Sequence, residues 1–203
     1  MSGKSVLIAL AIVLSVIVVA ALSAVGSYNG LIAANQAVQA QWGQVENVYQ
    51  RRLDLVPNLV ETVKGVAAFE KETYTAVAEA RAHVGQVTAP GPAALTDDPA
   101  AFERFAQAQQ GLSSALARLL VVSERYPQLK ANESFRDLQA QLEGTENRIA
   151  VERMRYNDAA RTYNTRRQTF PTALIAAMFA DRFRERPYFE AQPGAAVAPK
   201  VKF

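Results

Sequence analysis

An uncharged stretch of twenty residues near the start of the chain constrains the fold more than any other feature. Residues Val6 to Val25 contain only Ser15 and Ser23 as polar interruptions. As a helix rising about 1.5 Å per residue, the stretch is about 30 Å long, the thickness of a bilayer's hydrocarbon core. The alternative is a cleaved signal peptide preceded by the basic Lys4. We favour an uncleaved membrane anchor because apolar regions of signal peptides usually span only about 7–15 residues.

Composition excludes several classes of site. The chain has 203 residues, a formal net charge of +3, no cysteine and a single histidine, His83. Disulfides, thiolate metal sites and cysteine nucleophiles are therefore impossible, and a histidine-rich metal centre is excluded. The mild positive charge gives no reason to expect nucleic acid as a partner. The residues after the anchor are numerous enough for one domain with a sizeable core.

The charges flanking the anchor predict its orientation. Lys4 lies on the N-terminal side, whereas residues 26–45 carry no charge. The positive-inside rule then places the N-terminus in the cytoplasm and the domain on the extracytoplasmic side.

Four amphipathic segments follow the anchor, with apolar residues recurring every three or four positions. The first covers residues 29–56, and Pro57 is expected to end it and to begin the second. A loop at residues 86–99 precedes the third segment, which Asp97 or Asp98 can cap, and Asn132 can cap the fourth. No strand pattern competes, so we predict an all-α protein in which a transmembrane helix leads into an antiparallel four-helix bundle. The predicted organisation is a flank at 1–5, a membrane helix at 6–25, the bundle at 28–190 and a disordered tail at 191–203.

Several sequence stretches resemble the LemA family of membrane-anchored helical proteins. They are residues 28–31 (YNGL), 41–45 (QWGQV), 51–65 (RRLDLVPNLVETVKG), 126–132 (YPQLKAN), 146–150 (ENRIA) and 153–157 (RMRYN). The resemblance implies an N-terminal membrane helix and a four-helix bundle. It implies little about activity, because the family has no settled enzymatic reaction and no agreed cofactor. Gln41 and Gly43 depart from the family's usual Ala and Ser.

Two places on the amphipathic segments, the pair Arg51–Arg52 and Glu152, supply candidate interaction or register residues. Arg51 and Arg52 could bind a phosphate, but an ion pair with a neighbouring helix is the preferred interpretation. Glu152 lies on the apolar stripe of the fourth segment and therefore needs a partner, for which Arg148, Arg155, Tyr156 or the arginine pair are available. A buried pair that fixes helix register is preferred over a catalytic carboxylate, because no second group of matched chemistry is present.

The third candidate is the arginine-rich C-terminal part of the domain. Eight arginines between residues 153 and 186 face only three acidic residues, and the apolar stretch Ala173–Phe179 lies among them. Arg182, Arg184 and Arg186 are expected either to contact anionic lipid headgroups or to be solvated while the apolar stretch caps the bundle.

These features favour a non-enzymatic scaffold of the bacterial inner membrane that self-associates or recruits partner proteins. The expected partners are the lipid bilayer and further copies of the chain, and a second membrane protein is a further candidate. The alternatives are an adaptor or regulator of a membrane protease or sensor, as the family's gene neighbourhoods suggest, and a cryptic enzyme acting on the envelope. No catalytic, cofactor-binding or metal-binding residue is predicted.

Overall fold

A computed structural model of the chain describes residues 3–66, 70–89 and 91–190, and these residues form helices and connecting segments without a β-strand. The predicted all-α class is therefore confirmed. The helices are α1 (Gly3–Val66), α2 (Lys71–Thr88), α3 (Pro92–Asp97), α4 (Pro99–Arg125), α5 (Pro127–Ala131), α6 (Glu133–Gln168) and α7 (Thr172–Met178). The tail predicted at 191–203 lies outside the described residues.

Helix α1 joins the candidate membrane span to the domain without a break. Its N-terminal part is long and apolar enough to cross a membrane, and its apolar side chains are exposed, with Leu7 at 70% and Leu22 at 68%. Beyond Val25 the same helix buries one face, which includes Leu31, Val38 and Trp42. The anchor and the first domain helix are therefore one element.

The prediction that Pro57 ends the first helix was wrong, because α1 continues through it to Val66. A proline inside a helix leaves the carbonyl four residues earlier without its amide partner. That carbonyl belongs to Leu53, and the Arg81 Nε of α2 donates to it at 3.1 Å. Burial of Val56, Leu59 and Val63 on the face opposite the exposed Pro57 further stabilises the continuous helix.

The predicted loop at 86–99 is shorter than expected. Helix α2 extends to Thr88, and the six-residue α3 occupies most of what remains. Gly91 precedes α3 with a φ of 88°, a conformation that favours glycine. The side chain of Asp98 caps α4 by accepting from the Ala100 amide at 2.9 Å, and Asn132 caps α6 by accepting from the Phe135 amide at 3.0 Å. Both caps match the sequence prediction, which had left Asp97 and Asp98 as alternatives.

The core consists of two clusters along the long helices. Helix α6 packs along α1, and α2 packs along α4. The cluster nearer the anchor is aromatic and centres on Trp42, whose ring lies 5.3–5.7 Å from those of Phe102, Phe105 and Tyr156. The distal cluster is aliphatic apart from Phe135 and lies beyond Val56 of α1. The apolar stripes predicted for α1, α4 and α6 supply most of both clusters.

After α7 the chain returns across the domain as an extended segment, residues 184–190, which we call the C-terminal strap. Phe183, Arg186 and Phe189 are buried at three-residue intervals. The Phe189 ring lies 4.6 Å from that of Phe102 and is stacked at 6.1 Å on Trp42. The strap therefore completes the aromatic cluster.

Candidate functional site

Arg52 is the centre of a polar cluster that joins three helices. Its side chain is 1% exposed, and its guanidinium donates to Glu146 of α6 at 2.7 Å and to Ser113 of α4 at 2.7 Å. It also donates to the backbone and side-chain oxygens of Gln109, and it lies over the Tyr49 ring at 5.1 Å. Because an arginine offers five donors in a fixed plane, one side chain holds α1, α4 and α6 in register.

A cleft of about 610 Å³ opens beside this cluster. Its walls include Arg52, Glu146, Glu103 and Arg153, and the strap residue Tyr188 closes one side. Both acidic and basic side chains line the cleft, and Arg52 is already paired with Glu146. Its volume lies within the range of small-molecule sites, but the arrangement selects no ligand class.

The other two interior candidates take different positions. Arg51 is exposed, so the structure does not bring it together with Arg52. Glu152 is partly buried, accepts from Gln41 Nε2 at 2.6 Å, and pairs with Arg155 at 2.9 Å. Arg155 was among the partners considered from sequence, whereas Gln41, a position that departs from the family pattern, was not. Glu152 does not line the cleft.

Arg186 is buried, contrary to its interpretation as a solvated or lipid-facing residue. Its side chain is 2% exposed and forms an ion pair with Asp97, and it also donates to Asn35 Oδ1 at 2.6 Å. The Asn164 side chain accepts a hydrogen bond from the Arg186 backbone amide at 2.9 Å and donates one to the Arg186 backbone carbonyl at 2.8 Å. Burial lowers the pKa of the Arg186 guanidinium. Arg186 therefore fastens the strap to α1, α3 and α6.

Arg182 and Arg184 remain at the surface. Arg182 lies over the Tyr28 ring at 5.6 Å, and Arg184 is 4.0 Å from Asp181. Two further arginines of the same sequence region hold the strap and the turn before it. Arg153 covers the Phe189 ring at 4.7 Å, and Arg167 donates to the Phe183 carbonyl at 2.7 Å. The arginines in excess are thus divided between those that bind the strap and those that are exposed at the surface.

Burial shifts the pKa of several ionisable side chains in the domain. Burial raises the pKa of Tyr163 to about 12 and raises that of Tyr156 further. Burial also raises the pKa of Glu46, and the adjacent Trp42 indole partly opposes that rise. Among the described residues no group of three or more His, Asp or Glu side chains could hold a metal ion, and His83 is exposed on α2.

Sequence reasoning missed the strap as a structural element. Residues 184–190 have no regular secondary structure, so a search for helical periodicity passes over them. The available signal was the spacing of Phe183, Arg186 and Phe189 in a region otherwise rich in charge. It could not indicate that Arg186 is buried, because its partners Asn35, Asp97 and Asn164 are distant in sequence.

Comparison with known proteins identifies the family of the chain. Residues 41–203 match the LemA family. The chain is also 28% identical over 180 residues to the magnetosome proteins MamQ 1 and MamQ 2 of Paramagnetospirillum magneticum (strain AMB-1). It is 26% identical over 180 residues to the magnetosome protein MamQ of Magnetospirillum gryphiswaldense (strain MSR-1).

Each of these alignments covers 82% of this chain and 65% of the relative, so the chain spans slightly less than two thirds of the length of the proteins it matches. The family match covers most of the chain and includes the Arg52 cluster, Glu152 and the strap. The chain therefore belongs to the LemA family.

Proposed function

We propose that this protein is a non-enzymatic, membrane-anchored scaffold that self-associates or recruits other proteins at the membrane surface. The observation that carries the proposal is the continuity of α1 from the apolar span to the buried face of the domain. A helix without a hinge fixes the domain's distance and direction relative to the bilayer. Fixed presentation is what a scaffold needs, and a flexible linker would not provide it.

We further infer that α1, α2, α4 and α6 act as one antiparallel four-helix bundle. The side-chain contacts Gln41–Glu152 and Arg52–Glu146 support opposite directions for α1 and α6, because residue numbers rise along one helix and fall along the other. Arg166 lying against Gly30 continues the same order. The buried Arg52 cluster then fixes the register of the bundle, a role for which buried polar groups are well suited.

The cryptic-enzyme alternative receives no support from the geometry around Glu152. Its two carboxylate oxygens are occupied by Gln41 and Arg155, and it lies away from the cleft beside Arg52. A general acid or base needs access to a substrate proton. The magnetosome names of the three bacterial relatives are in keeping with a structural role in a membrane assembly.

The proposal is tested by native mass spectrometry of the full chain extracted in mild detergent. A scaffold that self-associates gives masses that are whole multiples of the 22.1 kDa chain. A recruiting scaffold gives a stoichiometric complex with a second protein. A bare monomer at every concentration, both in detergent and after cross-linking in the native membrane, would contradict both forms of the proposal.

We also propose that the domain lies on the extracytoplasmic side of the bacterial inner membrane. The absence of cysteine from the chain makes this testable with single-cysteine variants. In spheroplasts an impermeant maleimide should label Gln192→Cys without lysis, whereas the matched variant Ser2→Cys should react only after lysis. The reverse pattern would place the domain in the cytoplasm.

A further inference from the structure

An exposed apolar surface lies beside the candidate membrane span. Helix α6 ends at Gln168, and the chain turns through Phe170 and Pro171 into α7. Phe170, Leu174 and Met178 are 77%, 59% and 74% exposed, while Thr172 and Ala176 on the other side of α7 are buried. We call the segment 170–178 the elbow. One side of the elbow caps the domain, and the other presents large apolar side chains outward.

A groove of about 560 Å³ separates the elbow from α1. Phe170, Pro171, Leu174 and Ile175 form one wall. The other wall belongs to α1, along the C-terminal part of the apolar stretch and just beyond it, and its members are Ser15, Val16, Val19, Ala20, Ser23, Ala24 and Ser27. The elbow therefore lies alongside the span itself and at the same height as its last three turns.

The described residues that form the two walls of the groove carry no charge, and the charges nearest to them begin directly above it. No charged residue occurs between Arg167 and Asp181 or between Lys4 and Glu46. Arg182 lies over Tyr28 at 5.6 Å, and the guanidinium of Arg166 lies across Gly30. A tyrosine with arginines just beyond an apolar span is the pattern found where a protein crosses from hydrocarbon into lipid headgroups.

From this arrangement we propose that the elbow is immersed in the bilayer leaflet on the domain side and that phospholipid acyl chains fill the groove between it and α1. The occupant is lipid because one wall of the groove is the span, so hydrocarbon surrounds that wall wherever α1 crosses the membrane. Three large apolar side chains exposed to water would be unfavourable, whereas acyl chains solvate them. The arginines near Tyr28 and Gly30 then lie at the level of the lipid phosphates.

This inference rests on α1 spanning the bilayer, which is also a premise of the scaffold proposal, and the experiment separates the two. Full-length protein is reconstituted in nanodiscs, one copy per disc, with phosphatidylcholine brominated along its acyl chains, which quenches tryptophan fluorescence. Trp42, the native tryptophan, is 1% exposed and lies twenty residues beyond Leu22, about 30 Å along the helix, so it gives a constant background. Three variants are compared with the native chain: Phe170→Trp, Leu22→Trp in the span, and Val121→Trp at an exposed site on α4.

We expect brominated lipid to quench Phe170→Trp nearly as strongly as Leu22→Trp and to leave Val121→Trp unquenched. If Phe170→Trp resists the lipid but is quenched by aqueous acrylamide, the elbow lies in water and the inference is overturned. Protection from both quenchers would place the ring against protein and would overturn it equally. If Leu22→Trp is not quenched, the span is outside the bilayer, and the membrane placement in the proposed function fails with it.

Discussion

Phe189 tests whether the C-terminal strap is an integral part of the domain. Its side chain is 6% exposed, and its ring lies 4.6 Å from that of Phe102, 5.5 Å from that of Tyr156 and in a stack with Trp42. Replacing it by alanine removes the ring from the aromatic cluster and also removes the surface that the Arg153 guanidinium covers. The expected result is a less stable domain whose strap separates more easily from the core.

The size of the effect follows from the burial of the ring. A buried aromatic side chain removes about 150–250 Å² from water, equivalent to about 4–6 kcal/mol at about 25 cal/mol per Å². Phenylalanine-to-alanine changes in protein cores cost about 3–5 kcal/mol. Since the strap can separate and let the site collapse, we expect about 3 kcal/mol for Phe189→Ala. For a domain of this size that corresponds to a melting temperature lower by about 6–12 °C.

The assay is urea unfolding of the full chain in mild detergent, followed by circular dichroism and by fluorescence. Trp42 is the only tryptophan and lies against Phe189, so its emission should shift to longer wavelength before the helices unfold. Phe170→Ala is the matched control, because it makes the same chemical change at a site that is 77% exposed, and it should alter stability by less than about 0.5 kcal/mol. Equal effects of the two substitutions, or an unchanged Trp42 emission in Phe189→Ala, would refute the reasoning.

Three further predictions concern the helices. Pro57→Ala should raise the free energy of unfolding by about 1–3 kcal/mol. Arg81→Ala should lower the free energy of unfolding by about 1 kcal/mol in the native chain but should not change it in the Pro57→Ala background, and a double-mutant cycle measures this difference. Glu146→Ala should lower the free energy of unfolding by about 1–3 kcal/mol, because it leaves the buried Arg52 charge without its carboxylate. The loss should be much smaller in an Arg52→Met background, and equal losses in both backgrounds would contradict the pairing. Burial raises the pKa of Glu46 above its ordinary 4.5, so the contribution of this group to stability is full below pH 4.5 and is lost as the pH rises through the raised pKa. The free energy of unfolding, measured by urea unfolding at several pH values, should therefore depend less on pH in Glu46→Gln.

The apolar stripes account for what the sequence could predict about the fold. Leu31, Val38 and Trp42 on α1 and Phe102 and Phe105 on α4 lie on the apolar stripes of the first and third amphipathic segments, and all are buried. Helical periodicity is a local property, so it can be read without knowing what lies opposite. The capping residues of α4 and α6 are local for the same reason, since each side chain bonds an amide two or three residues away.

Pro57 shows where local reasoning failed. Proline disfavours a helix interior because it removes one hydrogen bond, and that penalty was taken as decisive. The bond is replaced by Arg81, which is 28 residues away and belongs to another helix. A local signal is thus overruled by a tertiary contact, which no reading of the neighbouring residues could show.

For the candidate site too, local features could be predicted from the sequence and contacts between distant residues could not. The sequence by itself determined the apolar stretch long enough to cross a membrane, the helical class and the presence of polar residues on apolar stripes, because each depends on spacing and composition within one segment. Only the tertiary structure decided that Arg52 binds Glu146, that the strap residue Arg186 has a buried side chain, and that the elbow lies beside the span. The hydrogen bonds of Arg52 and Arg186 alone join residues that are 22 to 151 positions apart in the chain. Their energies depend on burial and geometry, which exist only once the helices have packed.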